Sequence, residues 1–139
     1  MKKFKVWDDF HKCWDYQFYM YSSGELFEPS YRKYDTPNIE IEIVEERDLK
    51  HYKQVFYTGL KDKNGVEIYE GDFVKMDHCV IGLICYFGCT WVLLTKTSKG
   101  IRSHYLSIND HSIVEVVGNT FENPDLSIEL IDYAVNLSS

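Results

Sequence analysis

Three glycines set the rhythm of this chain: Gly59, Gly65 and Gly71 lie six residues apart, each after a strand-like run or a turn signal and before another strand. Glycine adopts positive φ at no steric cost, so spacing of this kind marks turns. A chain cut this often pairs as short strands, which predicts a small barrel or a sandwich. The surrounding stretch, "YTGLKDKNGVEIYEGDFV" (57–74), also gathers lysines and carboxylates as a phosphate-gripping loop would. A P-loop needs Gly-x-x-x-x-Gly-Lys-Ser/Thr between a strand and a helix, and the stretch has no such run. Turn punctuation is the stronger reading.

The 139 residues suffice for one ordinary domain with a smaller appended lobe. A hydrophobic share of 45% builds a real core, and an aromatic share of 16%, with 11 Tyr, leans towards pleated strands. The formal net charge of -7 repels phosphate backbones, and no basic stretch resembles a nucleic-acid arm. Acidic charge of this size favours solubility or a basic partner. Met-Lys-Lys leads into "FKVWDDF", whose aspartates break any apolar run, so no secretory leader is expected. The longest apolar stretch, around "VIGLICYF", is too short to span a bilayer. The four cysteines are therefore expected as reduced thiols in a cytoplasmic protein that does not engage membranes.

Along the chain, Phe4 and Val6 alternate with lysines, "DDFHK" supplies a turn, and Trp14 to Tyr21 reads as a second, aromatic strand. "SGELFEPSYRKYDTPN" has Gly24, Pro29, Pro37 and no clean period, so it reads as a loop. In "NIEIEIVEERD", Ile39, Ile41 and Ile43 oppose Glu40 and Glu42, a half-buried strand by its period of two. Asn64-Gly65 predicts a two-residue hairpin with positive φ at both central positions. A tight turn follows at Glu70-Gly71-Asp72, where the Asp72 carboxylate is suited to pin its own turn. "VIGLICYF" is a strand in which Gly82 suggests a bulge or bend, and Gly88 to Thr90 turns the chain into "WVLLTK". Near the end, Asn123 reads as a helix N-cap and Pro124 as the first helical residue. Leu126, Leu130, Ile131, Ala134 and Val135 then recur at helical spacing.

The expected architecture is mainly β: an N-terminal β lobe over 1–56, an SH3-like small barrel over 57–123, and a C-terminal helix over 124–139. The barrel sheet is expected from about Tyr57 to Asn119.

Several residues together resemble the YopX family, small proteins encoded mainly by phages and prophages. They are Trp7-Asp8 near the start; Thr58, Gly59, Leu60, Asp62, Gly65, Ile68, Tyr69, Glu70, Gly71 and Asp72 in the centre; and Gly118, Asn119, Glu122, Asn123 and Pro124 near the end. The resemblance spans nearly the whole chain in this order, although Val80 to His111 carries no family motif. It implies a mostly β fold and an origin in a phage or prophage within a bacterial host. It transfers no activity and no catalytic residue.

Candidate chemistry is sparse. "HKC" (His11, Cys13) and "DHC" (Asp77, His78, Cys79), with Cys85 and Cys89, invite a zinc reading. Structural zinc sites usually carry Cys-x-x-Cys or His-x-x-x-His pairs, and cysteines spaced by six and four in apolar strands behave as small hydrophobes. A cysteine nucleophile needs a neighbouring cation, yet His78 and Cys79 fall on opposite sides of a strand. His104 and His111 reach Cys85 or Cys89 only if the fold brings them there. Asp8-Asp9 and Glu45-Glu46 read first as solvated turn or strand ends rather than acid–base pairs.

The ladder "WDYQFYMY" sets Trp14, Tyr16, Phe18 and Met20 on one strand face and Tyr19 and Tyr21 on the other. Burying both sets needs a second lobe or another subunit. Base stacking would use similar residues, but the strand has no Lys or Arg alongside.

The expectation is therefore a non-enzymatic accessory protein with no cofactor, no metal and no catalytic residues. It would bind a host or phage protein or a second copy of itself, with a nucleic-acid-binding module as the alternative.

Overall fold

The computed structural model describes residues 3–15, 19–20, 26–31, 39–43, 51–76, 80–106 and 113–138. The chain divides into two compact units, Lys3–Val55 and Phe56–Ser139.

The N-terminal unit opens with the expected hairpin, but the expected aromatic strand Trp14–Tyr21 is not one strand, since Trp14 and Tyr19–Met20 belong to different sheets. Strand β1 (Phe4–Asp8) pairs antiparallel with β2 (Cys13–Asp15), setting Trp7 opposite Trp14 and Asp8 opposite Cys13. The turn "DFHK" holds Lys12 at φ 54, and the Asp9 N–H donates to the His51 carbonyl at 2.7 Å. A second antiparallel sheet has the order β3-β4-β5, with β3 at Tyr19–Met20, β4 at Leu26–Tyr31 and β5 at Ile39–Ile43.

Strand β5 matches its alternating isoleucines. Strand β4 overturns the loop reading of "SGELFEPSYRKYDTPN" over Leu26–Tyr31, because Phe27 through Tyr31 pair residue by residue with β5; the rest of that stretch lies outside the described residues. Pro29 lies opposite Ile41 in that ladder. On the other side, Leu26 and Phe27 pair with Met20 and Tyr19 of β3.

Strand β6 (Tyr52–Lys61) begins in the N-terminal unit and ends in the C-terminal one. There it pairs with β7 (Glu67–Tyr69), Tyr57 opposite Tyr69, with an irregularity before Lys61 meets Glu67. Gly59 (φ 87) lies inside β6 in that irregular stretch, so of the three spaced glycines it does not mark a turn between strands. The main sheet is antiparallel and five-stranded, in the order β11-β10-β9-β8-β12. Its strands are β8 (Asp72–Lys75), β9 (Ile81–Phe87), β10 (Thr90–Thr97), β11 (Gly100–Tyr105) and β12 (Glu115–Asn119). The sheet curls as a half-barrel of the small-barrel kind, so the fold is mainly β with one short helix, α1 (Ile128–Ser138). No helix among the described residues is long and apolar enough to cross a membrane.

The main sheet is buried on both faces where β8, β9 and β10 run side by side, while β11 is largely exposed. Phe73, Leu83, Val92 and Leu94 meet Leu130 of α1, with Ile131, Ala134 and Leu137 packed alongside. Val74, Ile84 and Leu93 on the other face meet Ile68 of β7 and Val114. This explains why "VLLT" (92–95) is apolar without alternation: all four residues are buried. Removing a side chain of this kind from water contributes about 1.5–3 kcal/mol.

Three local expectations are corrected. The Asn64-Gly65 hairpin is not the two-residue kind, because Gly65 has φ 83 while Asn64 does not have positive φ. The Gly65 N–H donates to the Asp62 carbonyl (3.0 Å) and the Asp62 N–H to the Val66 carbonyl (2.7 Å), a three-residue loop closed by a glycine bulge. The double positive φ occurs instead at Gly88 (60) and Cys89 (64), between Phe87 and Thr90. Gly82 makes no bulge, since β9 runs past it in register with Val74 and Thr95. A Cβ there would stand 2.6 Å from Leu93 Cδ1, so close packing requires the glycine. The irregularity lies in β12, between Val116 and Gly118.

The helix also starts later than expected. Pro124–Leu126 form a 3₁₀ turn in which Asn123 makes no side-chain cap. Ser127 caps α1 instead, its Oγ accepting from the Leu130 N–H at 3.4 Å. Leu126 therefore precedes α1, and Val135 faces outward.

Candidate functional site

The motif carboxylates and amides serve the backbone. Asp62 is 4% exposed, and its Oδ1 accepts from the N–H groups of Asn64 (2.8 Å) and Val66 (2.9 Å). Its Oδ2 accepts from the Val116 N–H at 2.9 Å, so one side chain joins the 62–66 turn to β12. Burial raises the Asp62 pKa, but those three N–H groups and the Lys63 charge outweigh it and hold the carboxyl below its ordinary value.

Asp72 pins its turn as expected, its Oδ2 accepting from the Tyr69 N–H at 2.8 Å. The Gly71 N–H donates to the Ile84 carbonyl, and its own carbonyl accepts from Thr120. Asn119 Oδ1 accepts from the N–H groups of Phe121 and Glu122, while its Nδ2 donates to Glu122 Oε1. Thr58 Oγ1 donates to the Ile68 carbonyl and accepts from the Leu60 N–H. The segment that resembled a phosphate loop spends these polar groups on its own turns and on the backbone of neighbouring elements.

Glu70 is the exception among the motif acids. Burial raises its pKa, only partly countered by the backbone at Phe56. Its charge also acts on Cys85, whose thiol is pushed up to about 12, first by burial and then by Glu70. A thiol held that high is not a nucleophile at neutral pH.

His104 cannot help Cys85, since it pairs with Leu93 while Cys85 pairs with Val92. Adjacent strand residues face opposite sides, so ring and thiol lie on opposite faces of the sheet. Cys89 is exposed at its turn.

Asp8 and His11 come together more closely, with Asp8 Oδ2 2.6 Å from His11 Nδ1. Asp8 Oδ1 accepts from the N–H groups of Phe10 and His11, both at 3.0 Å. Burial raises the Asp8 pKa, and the bonds from His11 and Phe10 bring it below the ordinary value. Asp9 Oδ1 lies 2.7 Å from Lys12 Nζ, as a solvated turn predicts. Among the described residues no three His, Cys, Asp or Glu side chains converge as metal ligands. Asp77, His78, Cys79, His111, Glu45 and Glu46 lie outside the described residues.

Of the aromatic ladder, Tyr16, Phe18 and Tyr21 also lie outside the described residues, as do the side chains of Tyr19 and Met20. Trp14 packs edge-on against Trp7, ring centroids 5.0 Å apart, and Lys5 Nζ sits 3.9 Å from the Trp14 ring centroid. The cation missing from the ladder strand is supplied by its neighbour.

The feature that sequence reading missed is the outer side of α1. Ile128 and Val135 are 61% and 62% exposed, and Leu126 and Tyr133 are also exposed. Ile128 and Leu126 border a groove of about 470 Å³ that also touches Val80, Ile81, Lys96 and Asp125. Lys96 Nζ lies 2.8 Å from Glu129 Oε1 at its edge. The signal was present: the helix carries two apolar stripes, and only one fits a sheet.

Against known proteins, a family model described as "YopX protein" matches residues 3–127. No curated protein matches the chain. Two crystal structures resemble it across almost their whole length. Protein EF1440 from Enterococcus faecalis is 24% identical with a TM-score of 0.53, covering 91% of this chain and 97% of that one. Protein yopX from Bacillus subtilis is 16% identical with a TM-score of 0.58, covering 91% and 99%. At these identities the likeness is one of fold.

Proposed function

This chain belongs to the YopX family, and we propose that it is a non-enzymatic accessory protein of a phage or prophage that works in the bacterial cytoplasm by binding a protein. The observation that carries the proposal is a run of exposed apolar side chains on and beside one short helix: Leu126 and Ile128 at the groove, and Val135 two turns along the same stripe as Ile128. Apolar groups gathered around a groove are what partner surfaces present, whereas scattered ones carry no message. The unreactive Cys85 thiol and the backbone duties of Asp62 and Asp72 support the non-enzymatic part.

A second reading, a nucleic-acid-binding module, is favoured by Lys5 over the Trp14 ring, the pairing of cation and aromatic that stacking platforms use. The overall charge of -7 opposes it.

A tagged chain captured from infected or lysogenic host cells, split into nuclease-treated and untreated halves, separates the two. A single protein enriched in both halves is the expected result. Enrichment that vanishes with nuclease refutes protein binding in favour of nucleic acid.

A further inference from the structure

We infer that the outer face of α1, with the groove at its N-terminal end, is the docking surface, and that its occupant is a basic segment of a partner protein carrying apolar side chains. The inference rests on the protein-binding reading and gives it a site and a partner chemistry.

Helix α1 has two apolar sides. Leu130, Ile131, Ala134 and Leu137 pack against the main sheet. Ile128 and Val135, seven residues apart and so on one stripe, stand 61% and 62% exposed, with Asp132 between them on the same side. Two β-branched side chains on a solvent face of a helix add nothing to helix propensity, so their value lies in what they touch. The groove extends the apolar surface past Leu126 to Val80 and Ile81.

Charge chooses the occupant. Residues 113–139 carry Glu115, Glu122, Asp125, Glu129 and Asp132 and no Lys, Arg or His. Of the described residues lining the groove, Lys96 alone is a cation, and it is engaged by Glu129. A second copy docking symmetrically through this face would set one acidic rim, with Asp125 and Asp132, against the other. Phosphate backbones and anionic lipid surfaces meet the same repulsion. A cationic protein segment gains on both counts: its apolar side chains cover Ile128 and Val135, and its Lys or Arg heads reach the acidic rim along apolar stems.

The test uses the full chain and a fluorescein-labelled model peptide of fourteen leucines and lysines in amphipathic helical order. A scrambled isomer of the same composition and a version with Glu for Lys serve as controls. Fluorescence anisotropy is read for the wild type and for Ile128→Lys and Val135→Lys, exposed positions whose folding is checked by circular dichroism. The expected result is binding of the amphipathic basic peptide, with scrambling or either substitution weakening it about tenfold or more. The Glu version should not bind.

Equal binding of the scrambled peptide, unchanged binding by the variants, or no binding at millimolar peptide overturns the inference. So does a wild-type dimer in sedimentation that Val135→Lys dissolves, which would make the face a contact between copies. If Val135→Lys still captures the same host protein as the wild type, the surface falls while the protein-binding reading stands. That reading falls only if capture is lost with nuclease.

Discussion

Replacing Asp62 with alanine should cost about 3 kcal/mol, because one buried carboxylate accepts three backbone N–H bonds. The bonds from Asn64 and Val66 sit in a turn whose backbone can rehydrate after truncation, so each is worth about 1 kcal/mol. The bond from Val116 comes from a strand 54 positions along the chain, and its N–H lies in a less accessible place, worth about 2 kcal/mol. These sum to slightly more than the stated loss, as expected when removing the carboxylate also removes its own cost of burial.

Asp62→Asn retains an acceptor for the turn but turns an amide N–H₂ towards the Val116 N–H, so it should lose about 2 kcal/mol. The pH dependence follows from the depressed pKa. The Asp62 contribution is full above the ordinary value of 3.8 and disappears as pH falls through the lower folded value. The alanine variant should therefore lose less stability on acidification than the wild type. Urea unfolding followed by near-UV circular dichroism measures the loss, and amide exchange at Val116 locates it. A loss below about 1 kcal/mol, with Val116 still protected, would refute the assignment of Asp62 as the link between turn and strand.

Three further outcomes follow from single residues. Gly118→Ala should destabilise by about 1–3 kcal/mol in the same assay, since its Cβ would stand 2.7 Å from Asn123 Oδ1 and 2.8 Å from Leu126 Cδ1. With a thiol-reactive dye at pH 8 under native conditions, exposed Cys89 and Cys13 should label promptly and Cys85 should lag far behind, as its burial and a pKa of about 12 require. Glu70→Gln should raise the melting temperature at neutral pH. The raised folded pKa means ionised Glu70 is penalised once pH exceeds that value, and the benefit of the substitution should vanish below the ordinary glutamate value of 4.5.

What could be read from the sequence was whatever local pattern decides alone. The alternating isoleucines of β5 and the β1–β2 hairpin needed no tertiary information, and both are found. Asn64-Gly65 misled because Asp62, two residues upstream, takes the turn's N–H groups onto its side chain and selects a different loop. Strand β4 hid behind Pro29, which reads locally as a strand breaker although the ladder sets it opposite Ile41. Gly82 was readable as special, but its reason, a Leu93 methyl on the adjacent strand, belongs to packing that no local pattern contains. The outer face of α1 escaped for a related cause: Val135 fits helical spacing, and spacing does not say which apolar residues meet a sheet.

Under the proposed function the family motif holds the fold together and recognition falls to α1. The most direct test is amide hydrogen exchange on the complex with the captured host protein, compared with the free chain. New protection concentrated over residues 122–138, with little change across 58–72, is the predicted result. Protection that appears across 58–72 and leaves α1 unchanged would contradict the claim and return the binding site to the motif itself.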